Sequence, residues 1–270
     1  MACTLAVAAI LGILSSRAEI RIEYPEQFDT VRSAKVFFIG SSLTATALPL
    51  DEPERGLLGD SRPAAILSID GMPEELSTRL LGEVLDLGAE TVFLEINSYA
   101  HEYIDLRKPL VVSLLGFQVR RIGDRLAADF KALFHIGPSP KRVLRVGPRD
   151  VTRSLEPEKL NPDDFYRFNR IEPSHGDELR VQLARAGEMG VEVYFFSPPR
   201  PRAAVDKMGA DEYSRLLEHV ERLAADYGVA LWHPPGAWPN DHFMDILAHA
   251  NERGRQRFQR ELSGWYRERR

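Results

Sequence analysis

The sequence predicts an α/β fold on a parallel, doubly wound sheet, and three observations carry that expectation. Short apolar runs rich in β-branched and aromatic residues recur along the chain and end in Gly, Ser or Pro. Stretches with apolar residues at helical spacing lie between them. At 270 residues, with 44% hydrophobic and 28% charged, the chain can bury one large core. A single domain over residues 19–270 is therefore expected, with no internal repeat or low-complexity segment.

The first element is an apolar run from Ala2 to Leu14. It falls short of the about 20 residues of a full membrane span and matches a signal-peptide apolar region in length. Ser16-Arg17-Ala18 is a small-x-small cleavage site, although no Lys or Arg precedes the run. A signal peptide or short membrane anchor over residues 1–18 is expected, with a buried first helix or strand as the alternative. Next, the segment VFFIGSSLTATAL, Val36 to Leu48, reads as a short buried strand that breaks into Gly40-Ser41-Ser42-Leu43-Thr44. A strand ending in Gly and Ser before helix-compatible residues lifts a hydroxyl to the head of a helix, so Ser42 stands where a nucleophile can sit. An ordinary strand and Ser-rich turn is the alternative.

An Asp/Pro/Gly-rich loop follows from Pro49 to Pro63, then a strand from Ala64 to Ile69 and an amphipathic helix from Glu74 to Leu87 with Leu76, Leu80, Val84 and Leu87 on one face. Thr91 to Ile96 is the next strand, delivering the Asn97 amide at its carboxyl end. Leu106 to His135 reads as mostly helical and Gly137 to Asp164 as Pro- and charge-rich loop. Together they suggest a cap insertion over about 106–173, either a lid or an ordinary surface excursion. Val191 to Phe196 is a strand stopped by Pro198 and Pro199. Tyr213 to Tyr227 is a helix and Val229 to Trp232 a short final strand. The segment FMDILAHANERGRQRF, Phe243 to Phe258, then sets Asp245 and His249 close together before a helix-like stretch containing Gly254.

A net charge of −5 gives no overall basic footprint for nucleic acid. Arg120, Arg121, Arg142, Arg145, Arg149 and Arg153 cluster in mid-chain; a solvated face is the plain reading and an anionic-glycan surface the sharper one. One cysteine, Cys3, excludes an intrachain disulfide and a Cys-based zinc site. The seven histidines show no metal-binding spacing, so neither metal nor cofactor is expected. His101, His135, His175, His219, His233 and His242 read as surface or hydrogen-bonded structural residues.

Over roughly residues 33–262 the blocks around Ser42, Asn97 and His249 resemble the SGNH, or GDSL-type, hydrolase family in divergent form. The resemblance implies a three-layer α/β/α sandwich with a parallel, flavodoxin-like sheet and a serine-dependent acyl-transfer site. Ser42 would be the nucleophile, with its own backbone N–H in the oxyanion hole. Gly71, in AAILSIDGMPEE, would add a second N–H, and Asn97 a side-chain donor. His249 would be the base and Asp245 the group that orients it. The chain departs from the pattern in Ser41, where the family has Asp, and in Glu95 and Ser98, where it has Gly and Asp around the Asn. Asp245 and His249 are also one residue further apart than the family's Asp-x-x-His. A bulge or helical turn would absorb the extra residue; otherwise a Ser-His dyad, or Asp241 as partner, is expected.

GSSLT together with Phe-x-Asp…His-Ala-Asn-x-x-Gly is similar to relatives that handle acyl groups on cell-surface polysaccharides, such as alginate O-acetylation proteins and the teichoic-acid D-alanyl transfer protein. This implies an esterase or O-acyltransferase acting on an acylated carbohydrate or other small acyl ester, exported or membrane-tethered and facing the periplasm or cell exterior, with a membrane acyltransferase as a partner. A non-catalytic protein that keeps the fold within a polysaccharide acylation or export complex is the alternative.

Overall fold

The computed structural model describes residues 20–23, 28–48, 61–105, 142–146, 166–170, 172–173 and 176–270. In chain order these form β1 (Ile20–Glu23), α1 (Phe28–Ser33), β2 (Val36–Gly40), α2 (Ser42–Ala47), β3 (Ala64–Ser68), α3 (Glu74–Asp86), β4 (Thr91–Glu95), α4 (Asn97–Ala100) and β5 (His101–Asp105). They continue with β6 (Arg142–Val146), β7 (Tyr166–Arg170), α5 (Gly176–Glu188), β8 (Glu192–Phe196), α6 (Arg202–Met208), α7 (Ala210–Tyr227), β9 (Ala230–Trp232) and α8 (Glu252–Arg267). The apolar run before Ser15, Cys3, the loop from 49 to 60 and the helical reading of 106–135 lie outside the described residues, as do Arg120, Arg121, Arg149, Arg153, His135 and His175.

Seven strands form one sheet in the order β1-β6-β3-β2-β4-β8-β9. The five from β3 to β9 are mutually parallel, and β6 joins them antiparallel to β3. In this core the chain starts at β2, steps to β3 on one side and then crosses to β4 on the other. The direction of winding thus reverses between β2 and β4, where open parallel sheets form a crevice at the carboxyl ends of the strands.

Parallel strands buried on both faces need apolar side chains throughout, and VFFIG and TVFLE supply them. Phe37 and Ile39 join a core cluster with Leu80, Leu81, Val84 and Leu85 of α3, Leu179 of α5 and Leu216, Val220 and Leu223 of α7. Val36 and Phe38 join another with Leu43 of α2 and Phe258, Leu262 and Tyr266 of α8. Helices therefore cover both faces. Phe93 stacks on Phe38 with centroids 4.8 Å apart and meets Tyr266 edge-on at 5.4 Å, contacts worth about 0.5–1.5 kcal/mol each beyond area burial. This packing seats α8, whose amino end carries the His249 segment. Among the described residues no helix is long and apolar enough to cross a membrane.

The structure corrects the sequence reading in two places and adds a strand pair that it did not contain. Arg142–Val146, inside the stretch read as loop, is a strand of the main sheet paired with β1 and β3. Tyr166–Arg170 pairs antiparallel with His101–Asp105 in a separate two-stranded ribbon. In both cases pairing with a distant partner outweighs a polar local sequence. Leu87 lies off the apolar face of α3 and is 40% exposed, because the helix ends at Asp86 and Gly88, at φ +81°, turns the chain away.

Candidate active site

The placement of Ser42, Asn97 and Gly71 follows from register at the carboxyl edge of the sheet. Gly40 of β2 lies beside Ser68 of β3, and Ile39 beside Leu94 of β4, which sets Glu95 next to Gly40. Ser42 is two residues past Gly40, Asn97 two past Glu95 and Gly71 three past Ser68, so all three emerge along the same edge. Ser41 is the N-cap of α2, with its hydroxyl accepting from the Leu43 N–H at 3.2 Å. Ser42 opens the helix. A Cβ on Gly40 would lie 2.0 Å from Thr44 Oγ1 and 2.5 Å from Glu95 Oε2, so no larger residue fits where the strand turns.

From the far end of the chain comes the imidazole of His249. Phe243 and Ala250 form an antiparallel bridge, and between them Asp245 to Ala248 make a turn in which the Met244 N–H donates to the His249 carbonyl at 2.7 Å. Ala248 has φ +82°, a left-handed conformation uncommon for a residue with a side chain. This turn accommodates the extra residue between Asp and His. Asp245 Oδ1 accepts from the His249 backbone N–H at 3.2 Å, and Oδ2 lies 2.6 Å from His249 Nδ1. Because the carboxylate accepts the hydrogen bond from Nδ1–H, Nε2 is left as an acceptor, and it sits 2.9 Å from Ser42 Oγ. The His249 side chain is 17% exposed and Asp245 41%.

The turn is braced from α8. Asn251 caps that helix by accepting from the Gly254 N–H, and its Nδ2 donates to the carbonyls of Asp241 and Phe243. Gly254 packs so closely that a Cβ there would lie 2.1 Å from the His242 carbonyl oxygen. Asp241, the alternative partner for His249, instead pairs with Arg253 at 2.8 Å.

Ser42, Asp245 and His249 thus come together in one hydrogen-bonded chain. Asn97, buried, donates from Nδ2 to Glu95 Oε1 at 3.0 Å and accepts from Ser197 Oγ at 3.1 Å, which leaves one amide N–H without an acceptor among the described residues. Among the described residues the backbone N–H groups of Ser42 and Gly71 have no acceptor. Gly71 itself is left-handed at φ +59°. Two side chains at this edge escape the sequence reading, Glu95 as anything more than a departure, and Ser197. The signal in the sequence for Glu95 is a charge ending an otherwise apolar strand. The remaining histidines with described side chains are structural: His219 hydrogen bonds Arg222, His233 bonds Glu221, and His242 lies against Trp238 and Asp241. Among the described residues no three His, Cys, Asp or Glu side chains gather to hold a metal ion.

No protein-family model, curated protein or solved structure matches this chain.

Proposed function

We propose that the chain is a serine-dependent acyl-ester hydrolase or O-acyltransferase of SGNH type. The observation that carries the reading is the unbroken run from Asp245 through His249 to Ser42, with contacts of 2.6 and 2.9 Å, at the edge where a parallel sheet forms its crevice. The order of the five parallel strands, 2-1-3-4-5 along the chain, supports a flavodoxin-like three-layer sandwich.

In this reading Ser42 Oγ attacks the ester carbonyl as its proton passes to His249 Nε2, and Asp245 stabilises the imidazolium. The carbonyl π electrons move to oxygen, where the Ser42 and Gly71 N–H groups and the Asn97 amide receive the charge; one such donor is worth about 3–4 kcal/mol. Collapse expels the alcohol, which takes the proton from Nε2, and leaves an acyl-Ser42. Water activated by His249 releases the acid; a sugar hydroxyl in its place completes a transfer. A cell-surface carbohydrate as the acyl donor or acceptor, export or tethering through the leading apolar run, and a membrane acyltransferase as partner rest on the resemblance of GSSLT and His-Ala-Asn-x-x-Gly to polysaccharide O-acetylation proteins.

A fluorophosphonate probe and p-nitrophenyl acetate test the reading. Wild type should label and turn over, and Ser42→Ala and His249→Ala should each abolish turnover. The double variant should be barely worse than either single one, since the two act as a unit. Absence of labelling and of turnover on any acyl ester would leave a non-catalytic partner protein as the reading.

A further inference from the structure

Resting on that reading, we propose that Glu95 is a positioning residue which, together with Ser197, holds the Asn97 side-chain amide in the one orientation an oxyanion donor requires. An amide has two ends of opposite polarity, and both ends of this one are engaged. Oδ1 accepts from Ser197 Oγ at 3.1 Å and Nδ2 donates to Glu95 Oε1 at 3.0 Å. A hydroxyl donates or accepts, so Ser197 tolerates either orientation, whereas a carboxylate only accepts. Turning the amide over would press Asn97 Oδ1 against Glu95 Oε1, two acceptors face to face. Glu95 therefore decides the orientation and Ser197 completes it. One of the two Nδ2 hydrogens goes to Glu95, and the other remains for substrate.

The same carboxylate grips the turn that carries the nucleophile. It accepts from the Ser41 N–H at 2.8 Å, from Ser41 Oγ at 2.9 Å and from Thr44 Oγ1 at 2.5 Å, residues on either side of Ser42. Glu95 thus ties nucleophile and oxyanion donor to one rigid point, at 2% exposure. Stability alone is a poor reason for it. Burying a carboxylate is costly even when hydrogen-bonded, and an apolar strand end facing an apolar turn, with no donors to satisfy, would avoid the cost. The charge stands at the strand end that abuts Ser42, which is what a site held in register requires.

A mutant cycle on p-nitrophenyl acetate tests this, with melting temperatures as a check on folding. Glu95→Gln puts an amide that can donate where only an acceptor stood, so the flipped Asn97 becomes tolerable. It should lower kcat at least tenfold, towards the hundred- to thousand-fold loss of a missing oxyanion donor, with KM within about twofold. In an Asn97→Ala background the same change should cost several-fold less than in wild type, because the amide it positions is gone and only its hold on the Ser41–Thr44 turn remains. Ser197→Ala should lower kcat several-fold and lose that effect in the same background. Multiplicative losses, or a fall confined to KM or to melting temperature, would overturn the proposal. If Glu95→Gln does not fold, the cycle of Ser197→Ala with Asn97→Ala decides between coupled and independent losses by itself. Failure of wild type to label with fluorophosphonate would overturn the hydrolase reading and this one together. Labelling of wild type but not of Ser42→Ala, with Glu95→Gln as fast as wild type, would overturn only the positioning role.

Discussion

Replacing Asp245 by Asn should damage the site through the tautomer of His249, and the geometry sets the scale. The wild-type carboxylate accepts at both oxygens, from the His249 backbone N–H at 3.2 Å and from Nδ1 at 2.6 Å. An amide can accept at only one. Its oxygen belongs opposite the backbone N–H, which has no other role to play, and this turns the NH2 towards Nδ1. The ring then carries its proton on Nε2 and donates to Ser42 instead of accepting from it. Turning the amide over restores the tautomer but sets NH2 against N–H, a mismatch of about 1–3 kcal/mol, or about 5- to 150-fold in population at about 1.36 kcal/mol per factor of ten. Loss of the charge that stabilises the imidazolium adds to this. A fully buried triad loses about 10⁴-fold in kcat on this change; Asp245 is 41% exposed and screened by water, so a total of about 10²- to 10³-fold is expected. Asp245→Ala, which leaves the ring free to choose its tautomer, should be no slower than Asp245→Asn. Steady-state kcat on p-nitrophenyl acetate and the rate of fluorophosphonate labelling both report this. An Asn variant within threefold of wild type would refute the reasoning and leave Ser42 and His249 as a dyad.

Gly254→Ala should cost about 1–3 kcal/mol by overpacking, since its Cβ would lie 2.1 Å from the His242 carbonyl oxygen; an unchanged melting temperature in a thermal scan would contradict the tight approach of α8 to the His249 turn. Ala248→Gly should be nearly neutral and Ala248→Val should lose stability and kcat together, because a β-branched residue at φ +82° is strained by about 1–3 kcal/mol; equal kcat in the two would show that the turn does not set the position of His249. Burial pushes the Tyr99 phenol well above its ordinary range and raises those of Tyr194, Tyr213 and Tyr227. A raised folded-state pKa means the native state keeps protons the unfolded chain gives up, so stability should be intact below about pH 10 and fall as pH rises above it. Denaturant melts at successive alkaline pH values should show that slope, shallower in Tyr99→Phe, and an identical slope in the variant would sink the assignment.

The parts of the fold legible in the sequence are those whose signal does not depend on a partner. VFFIG, TVFLE and the end of EVYFF are apolar on both faces because both are covered, and such a run declares itself whatever lies alongside. RVLRV in β6, HEYID in β5 and YRFNR in β7 carry charges along their length, and only pairing with distant segments makes them strands. GDELRVQLARAGE, α5, goes unread for a related reason: Leu179 and Ala186 are its buried residues, too thin a stripe to register as periodicity. In the site, Ser42, Asn97 and His249 stand out because each is a polar residue at the end of an apolar run or in a short motif. Ser197 does not, since its relation to Asn97 exists only through the pairing of β4 with β8.

Register also explains why two departures from the SGNH pattern belong together. Ser41 stands where that pattern has Asp, and Glu95 where it has Gly, 54 positions apart in sequence yet with Ser41 Oγ 2.9 Å from both Glu95 oxygens. A carboxylate at both positions would set like charges in contact within a buried edge, and none at either would leave the Ser41 N–H and the Asn97 amide without their acceptor. The chain carries one, on the strand beside the turn that bears Ser42. The longer Asp-to-His spacing has the same character: Asp245 keeps its contact with His249 because Ala248 takes a left-handed turn and the capped end of α8 holds the segment in place. Taken singly along the sequence, each substitution argues against a working site. Placed side by side by the sheet and by α8, they leave the Ser42 hydroxyl, the His249 imidazole and the Asn97 amide together at one edge of the sheet, which is the arrangement the proposed acyl transfer requires.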